Sequence, residues 1–141
     1  YAVPHLKDEK DGSPGGVILV TASINGSRCF SMTGATAYIA SKAAQAAMAR
    51  NLALQLAPWK IRVNTICPGS VVSNLEENTW NRNRDKIRPQ RRWVGPSHPL
   101  LERAAEADEV ARAVLFLVGD DANIISGAEL ILDGAESVQF A

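Results

Sequence analysis

The sequence predicts an α/β fold, in which a partial, doubly wound parallel sheet is flanked by helices. Residues 17–20 are apolar and largely β-branched without alternation, which is typical of a strand buried on both faces. Residues 61–67 form a second strand pattern, and a long alanine-rich helical pattern lies between the two. A strand, a helix and a strand over this length predict a right-handed crossover and therefore parallel strands.

The segment before the first strand predicts the end of a helix and then a loop. Val3 and Leu6 lie three residues apart, and Gly and Pro residues between positions 12 and 16 indicate a turn of the chain. The first strand leads directly into Thr21-Ala22-Ser23. We therefore expect Ser23 at the carboxyl end of a buried strand, which is where open α/β sheets place their ligands.

The long helix is predicted from about Thr36 to Ala57. Its many alanines favour a helix and permit close packing against a sheet or another helix. Pro58 is expected to end it, because the residue before a proline is disfavoured in the α region. The second strand, residues 61–67, is expected to close at Pro68-Gly69.

The third quarter of the chain has no clear periodicity. Residues 82–92 contain six cationic side chains and one acidic one, flanked by Trp80 and Trp93. Such a stretch is compatible with nucleic-acid binding, but we prefer a mobile polar loop, part of which packs as a lid. Beyond it, Asp108 and Glu109 begin a helix that Gly119 closes, and residues 129–132 predict a third strand.

Composition limits the function classes further. The 141 residues are 46% hydrophobic and carry 15 basic and 15 acidic side chains, so that no overall field favours nucleic acid or an anionic membrane. Two distant cysteines indicate neither a disulfide framework nor a zinc site, and His5 and His98 lack paired metal ligands. We expect a soluble, cytoplasmic protein of one domain. The first residue is Tyr1 rather than Met, which suggests a fragment of a longer chain.

One pair of side chains suggests chemistry. Tyr38 and Lys42 lie four residues apart and therefore on one helix face. An ammonium close to a phenol stabilises the phenolate, so that the tyrosine can donate and accept a proton nearer to neutrality. The same spacing also occurs in ordinary solvated surface pairs. Only the neighbouring residues can therefore indicate whether this pair is catalytic.

Five motifs at these intervals resemble the carboxyl-terminal half of a short-chain dehydrogenase/reductase. They are Ser23, the YIASKAA motif at 38–44, the IRVNTICPG motif at 61–69, ADEVA at 107–111, and ISG at 125–127 with LDG at 132–134. The resemblance implies that residues 1–141 are the carboxyl-terminal part of one Rossmann-like domain, with the last three of about seven strands. It also implies that residues 74–106 are a variable substrate loop or lid. The family's glycine-rich TGxxxGxG-like segment does not occur in the sequence.

The resemblance also assigns roles to residues. It implies hydride transfer between NAD or NADP and a carbonyl or secondary alcohol, with Tyr38 as acid/base, Lys42 supporting the tyrosine and the nicotinamide ribose, and Ser23 polarising the substrate oxygen. Because the interval from Ser23 to Tyr38 is slightly long, Ser27 and Ser31 remain alternatives. The cofactor-binding residues implied by the resemblance are Tyr38, Lys42, Pro68, Gly69, Val71 and Ser73.

Partners follow from the same resemblance. It implies a small-molecule carbonyl or alcohol substrate and a homo-oligomer formed through the helix at 38–57, with no nucleic acid, membrane or metal. The competing hypothesis is a truncated, non-catalytic scaffold or assembly partner that keeps the helix-pairing surface. A third hypothesis is an RNA-binding accessory protein that uses residues 82–92.

Overall fold

In the part of the chain that it describes, the computed structural model contains three α-helices and three strands. It describes residues 1–7, 15–29, 33–75, 77–80, 82–83, 86–87 and 98–139. The helices are α1 (Val3–Leu6), α2 (Thr36–Leu56) and α3 (Ala107–Val118). The strands are β1 (Val17–Thr21), β2 (Arg62–Pro68) and β3 (Glu129–Leu132). They form one parallel sheet in the order β1-β2-β3, which confirms the predicted α/β fold class.

The register brings the carboxyl ends of the three strands to one edge of the sheet. Thr21 at the end of β1 pairs with Ile66, two residues before the end of β2. Pro68, the last residue of β2, pairs with Leu132, the last residue of β3. The segments that follow the three strands therefore start next to one another.

Helices cover both faces of the sheet. Val63 of β2 belongs to the buried cluster that includes Ala49 and Ala53 of α2. The neighbouring Arg62 instead reaches the end of α3. Because successive side chains of a strand point to opposite faces, α2 and α3 lie on opposite sides of β2. The small alanines allow the backbone of α2 to approach the sheet closely.

The buried polar residues of β2 bind the ends of neighbouring elements. The guanidinium of Arg62 donates to the carbonyl oxygens of Leu117 at 2.7 Å and Gly119 at 3.1 Å, so that it satisfies carbonyls at the carboxyl end of α3. Asn64 donates to the carbonyl of Ile125 at 2.7 Å and accepts from the amide of Ala128 at 3.0 Å. These bonds connect β2 to the loop that enters β3.

The amino end of α3 is closed by a capping box. The Glu109 carboxylate accepts from the backbone amide of Glu106 at 2.8 Å, and the Arg103 guanidinium donates to both of its oxygens at 2.8 and 3.0 Å. The hydrogen bonds from Arg103 lower the pKa of the Glu109 carboxyl to about 2. The predicted acidic start of this helix is therefore confirmed.

The predicted boundaries differ from the structure by one or two residues. The helix α2 ends at Leu56, and Pro58 lies inside a 3-10 turn, Ala57–Trp59, rather than directly after the helix. The strand β2 begins at Arg62 and includes Pro68. Residues 8–14 of the predicted amino-terminal loop lie outside the described residues.

Only the carboxyl end of the predicted lid segment, residues 74–106, contacts the sheet region in the part that the structure describes. Val71 forms a parallel bridge with Ala105, and His98 is 1% exposed. Trp80 is 82% exposed, and Arg82 lies 4.5 Å from the centroid of its ring, so that this tryptophan does not pack on the fold. Trp93 and most of the basic stretch lie outside the described residues.

None of the described helices combines the length and the apolar character that crossing a lipid bilayer requires.

Replacing Arg62 is expected to destabilise the fold. In Arg62→Met the carbonyls of Leu117 and Gly119 lose their buried donor, and we expect the free energy of unfolding to fall by about 2–4 kcal/mol. The matched control is Arg112→Met on the exposed side of α3, for which we expect a change within about 0.5 kcal/mol. Urea denaturation measures both, and equal losses in the two variants would contradict this role of Arg62.

Candidate active site

Residues of the predicted site and an aspartate follow the strands at the carboxyl edge of the sheet. Ser23 lies two residues beyond β1, Gly69 directly follows β2, and Asp133 directly follows β3. The amide of Gly69 donates to the carbonyl of Leu132 at 3.0 Å, which continues the pairing of β2 and β3 past the strand ends. Ligands of open parallel sheets bind at this edge.

Tyr38 and Lys42 lie in the first two turns of α2, and Lys42 reaches the end of β1. The ammonium of Lys42 donates to the carbonyl of Thr21 at 2.9 Å and lies 5.9 Å from the centroid of the Tyr38 ring. Both residues are half-buried. The bond to Thr21 uses one of the three N–H donors of Lys42 and fixes the ammonium at the strand end.

Ser23 is buried at 6% exposure and begins a 3-10 turn, Ile24–Gly26. Its hydroxyl oxygen accepts from the amide of Asn25 at 3.1 Å. Accepting this bond orients the side chain but does not use its proton, since a hydroxyl carries one donor and two acceptor positions. The hydroxyl is therefore held in place and can still donate.

The two alternatives to Ser23 have different outcomes. The hydroxyl of Ser27 donates to the carboxylate of Glu129 at 2.7 Å, and that carboxylate also pairs with Arg50 of α2 at 3.1 Å. The Ser27 proton is therefore donated to a carboxylate at the first residue of β3, which is the end of that strand away from the carboxyl edge. Ser31 lies outside the described residues.

Gly26 allows the turn after β1 to touch α2. A Cβ atom at position 26 would lie 2.6 Å from the amide nitrogen of Ala43 and 2.7 Å from both the carbonyl carbon and the Cβ of Lys42. These distances are shorter than any side chain tolerates. The absence of a side chain at Gly26 therefore brings the Ser23 turn against the helical turn that carries Lys42.

The cofactor residues predicted after β2 lie along one segment. Pro68 is the last residue of β2, and Gly69 turns away from it. Val71 pairs with Ala105, and Val72 donates its amide to the carbonyl of Ala105 at 2.9 Å. Ser73 is exposed, and its hydroxyl accepts from the amide of Leu75 at 3.4 Å. The structure gives these residues no direct contact with Tyr38 or Lys42 among the contacts it describes.

A polar cluster around Glu136 was not predicted. The carboxylate of Glu136 accepts from the amide of Ser70 at 3.0 Å and from its hydroxyl at 3.3 Å. The buried ring of His98 places Nε2 3.6 Å from the same carboxylate. Asp133 accepts from the amides of Ala135 and Ser137 at 3.0 and 2.8 Å. The only sequence signal was a carboxylate shortly after a strand end, which is too common to select Glu136.

The cluster gives this edge a negative character. Burial raises the pKa of the Asp133 carboxyl, but hydrogen bonds from Ser137 and Ala135 outweigh it, so that the pKa lies below its usual value. Burial raises the pKa of the Cys29 thiol, and the charges of Glu136 and Asp133 raise it further. Cys29 and Cys67 are both free thiols. Within the described ranges, no group of three or more His, Cys, Asp or Glu residues is arranged to hold a metal ion.

Comparison with known proteins finds dehydrogenases and reductases that are similar to this chain. A family model described as enoyl-(acyl carrier protein) reductase matches residues 1–135. The cyclopentanol dehydrogenase of Comamonas sp. (strain NCIMB 9872) is 42% identical over 101 residues, which are 72% of this chain and 38% of that protein.

Solved structures resemble nearly the whole chain. A 3-ketoacyl-ACP reductase from Sinorhizobium meliloti 1021 superimposes with a TM-score of 0.78 at 32% identity, over 98% of this chain and 51% of that one. A 3-ketoacyl-(acyl-carrier-protein) reductase from Brucella melitensis, complexed with NADH, gives 0.76 at 28% identity, over 96% and 50%. The chain therefore spans about half, or less, of the length of the proteins that it resembles.

A side chain at position 26 is expected to separate the Ser23 turn from α2. In Gly26→Ala the new methyl group overlaps backbone atoms of Lys42 and Ala43, and we expect a loss of about 1–3 kcal/mol in the free energy of unfolding. The control is Gly119→Ala, where the nearest atom lies at 3.2 Å and φ is −75°. Thermal unfolding compares the two variants, and an unchanged Gly26→Ala protein would contradict the close approach.

Proposed function

The chain belongs to the short-chain dehydrogenase/reductase family, and on that premise we propose that it provides the proton-transfer site of a nicotinamide-dependent oxidoreductase. The proposed reaction transfers a hydride between NAD or NADP and a carbonyl or secondary alcohol. The observation that carries this proposal is the position of Lys42, bound to Thr21 at the carboxyl end of β1 and adjacent to Tyr38.

Tyr38 is proposed as the acid/base of this reaction. In the reductive direction its phenol donates a proton to the substrate oxygen, and in the oxidative direction its phenolate accepts that proton. The bond to Thr21 holds the ammonium of Lys42 near the Tyr38 ring, so that a positive charge lies beside the group proposed to exchange the proton. The two remaining N–H donors of Lys42 are available for the phenolate oxygen and a ribose hydroxyl.

Ser23 is proposed as the donor to the substrate oxygen. Its hydroxyl is buried and oriented by the amide of Asn25, so that its proton can point to an oxygen on which negative charge develops. Gly26 holds this turn against the helical turn of Lys42. The arrangement makes Ser23 a better candidate than Ser27, whose proton is donated to Glu129.

The residues at this edge fit the nicotinamide end of a dinucleotide. When bound, the cofactor supplies or accepts the hydride. Lys42 and Ser23 offer donors to hydroxyl and carbonyl oxygens, and the segment from Pro68 through Gly69 and Val71 to Ser73 is proposed to lie along the carboxamide side. The structure from Brucella melitensis was solved with NADH, which supports a cofactor of this class. The choice between NAD and NADP stays open.

The proposed substrate is a small carbonyl compound or secondary alcohol. The cyclopentanol dehydrogenase and the 3-ketoacyl reductases carry such groups in their names, which supports this class. Residues 74–106 are proposed as the substrate loop. We also propose a cytoplasmic homo-oligomer that pairs through α2, where Met48 is 50% exposed and Leu54 is 77% exposed.

Replacing the phenolic hydroxyl tests this function. In Tyr38→Phe we expect NADH oxidation with cyclopentanone to slow about 1,000-fold, because the proton donor is lost, while the affinity for NADH changes less than about threefold. The matched control is Tyr1→Phe at the exposed first residue, which should retain the wild-type rate.

Three results would count against all or part of the proposal. Wild-type turnover in Tyr38→Phe would remove Tyr38 from the proton-transfer step. A wild-type protein that neither turns over nor binds NADH would instead favour the competing scaffold hypothesis. Saturable NADH binding without turnover would keep the cofactor site and reject only the catalytic assignment.

A further inference from the structure

The carboxylate of Glu136 binds the turn that follows β2. One of its oxygens, Oε2, accepts from the amide of Ser70 at 3.0 Å, and the other, Oε1, accepts from the hydroxyl of Ser70 at 3.3 Å. The two residues are separated by 66 positions in the sequence. Hydrogen bonds to an ionised carboxylate are stronger than neutral ones, and this carboxylate makes two of them to one residue.

The neighbouring glycine leaves space for this contact. A Cβ atom at position 69 would lie 2.6 Å from Oε2 of Glu136 and 2.9 Å from the Cβ of Asp133. A side chain at Gly69 would therefore displace the carboxylate. The turn Pro68–Gly69–Ser70 and the Glu136 side chain fit each other only in this combination.

The buried ring of His98 lies next to the same carboxylate. Its ring is 1% exposed, its Nε2 lies 3.6 Å from Oε2 of Glu136, and neither ring nitrogen has a hydrogen-bond partner within 3.5 Å in the described structure. The ring also packs against Gly134, where a Cβ atom would lie 2.9 Å from the Cβ and Nδ1 of His98. His98 therefore limits the positions that the Glu136 side chain can adopt.

We propose that Glu136 is a positioning residue, whose carboxylate binds Ser70 and thereby sets the conformation of the Pro68–Gly69–Ser70 turn for the cofactor. The inference rests on the proposed function, which places the nicotinamide end of the cofactor along this turn. Glu136 acts from outside the reacting atoms, because its contacts are with Ser70 and His98 rather than with Ser23, Tyr38 or Lys42.

The first test measures the turn itself. Hydrogen exchange of the Ser70 amide is followed by NMR in the wild-type chain, and in Glu136→Ala we expect it to accelerate about tenfold or more. The amide of Thr65 in the centre of β2, which donates to Ala128 at 2.8 Å, should change less than about twofold. Glu136→Gln retains an oxygen acceptor and should restore part of the protection.

Comparison with the Thr65 amide distinguishes a local effect on the turn from a general loss of stability. If Ser70 and Thr65 accelerate by the same factor in Glu136→Ala, the variant has only destabilised the fold and the proposal is overturned. An unchanged Ser70 amide overturns it as well. The matched control is Asp121→Asn, which removes an exposed carboxylate that makes none of the described contacts with Ser70. In this variant both amides should exchange as in the wild type.

The second test links the turn to the cofactor. Titration with NADH, followed by tryptophan emission, should give a Kd about tenfold higher in Glu136→Ala and an intermediate value in Glu136→Gln. If exchange of the Ser70 amide accelerates while the Kd for NADH stays unchanged, Glu136 holds the turn without positioning the cofactor. That result overturns the inference and leaves the proposed function intact. If the wild type itself does not bind NADH, the proposed function fails, and with it the cofactor part of this inference.

Discussion

The parallel pairing of β1 with β2 is the constraint on which the rest of the structure depends. Parallel neighbours require a crossover, and here the crossover is α2, whose first turns return to the carboxyl end of β1. That return places Lys42 within 2.9 Å of the Thr21 carbonyl. The parallel pairing of β2 with β3 adds the end of β3 to the same edge, so that Ser23, Gly69 and Asp133 follow neighbouring strands.

The elements of the fold could be predicted because their signals are local. The apolar run of β1, the alanine-rich α2 and the acidic start of α3 each depend on residues close in sequence. Arg62 and Asn64 are polar within a buried strand, and periodicity alone gives no reason for them. The structure supplies the reason, since both side chains bind backbone groups at the ends of α3 and before β3.

The candidate site was predictable only in part. Tyr38 and Lys42 share a helix face at fixed spacing, so their proximity follows from helix geometry. Glu136, Ser70 and His98 come together from three separate segments, and no local rule relates them. The hydrogen bond from the Ser27 hydroxyl to Glu129 could not be predicted either, because the two residues are 102 positions apart in the sequence. Residues that meet only through the tertiary fold leave no pattern in the sequence.

We propose that the carboxyl edge of this sheet binds the nicotinamide end of a dinucleotide next to Tyr38. The most direct measurement is a map of backbone amide chemical shifts by NMR during titration of the isotopically labelled chain with NADH. We expect saturable shifts centred on Ser23, Tyr38, Lys42 and Gly69, with little change at the carboxyl end of α3. No saturable shifts, or shifts centred away from this edge, would contradict it.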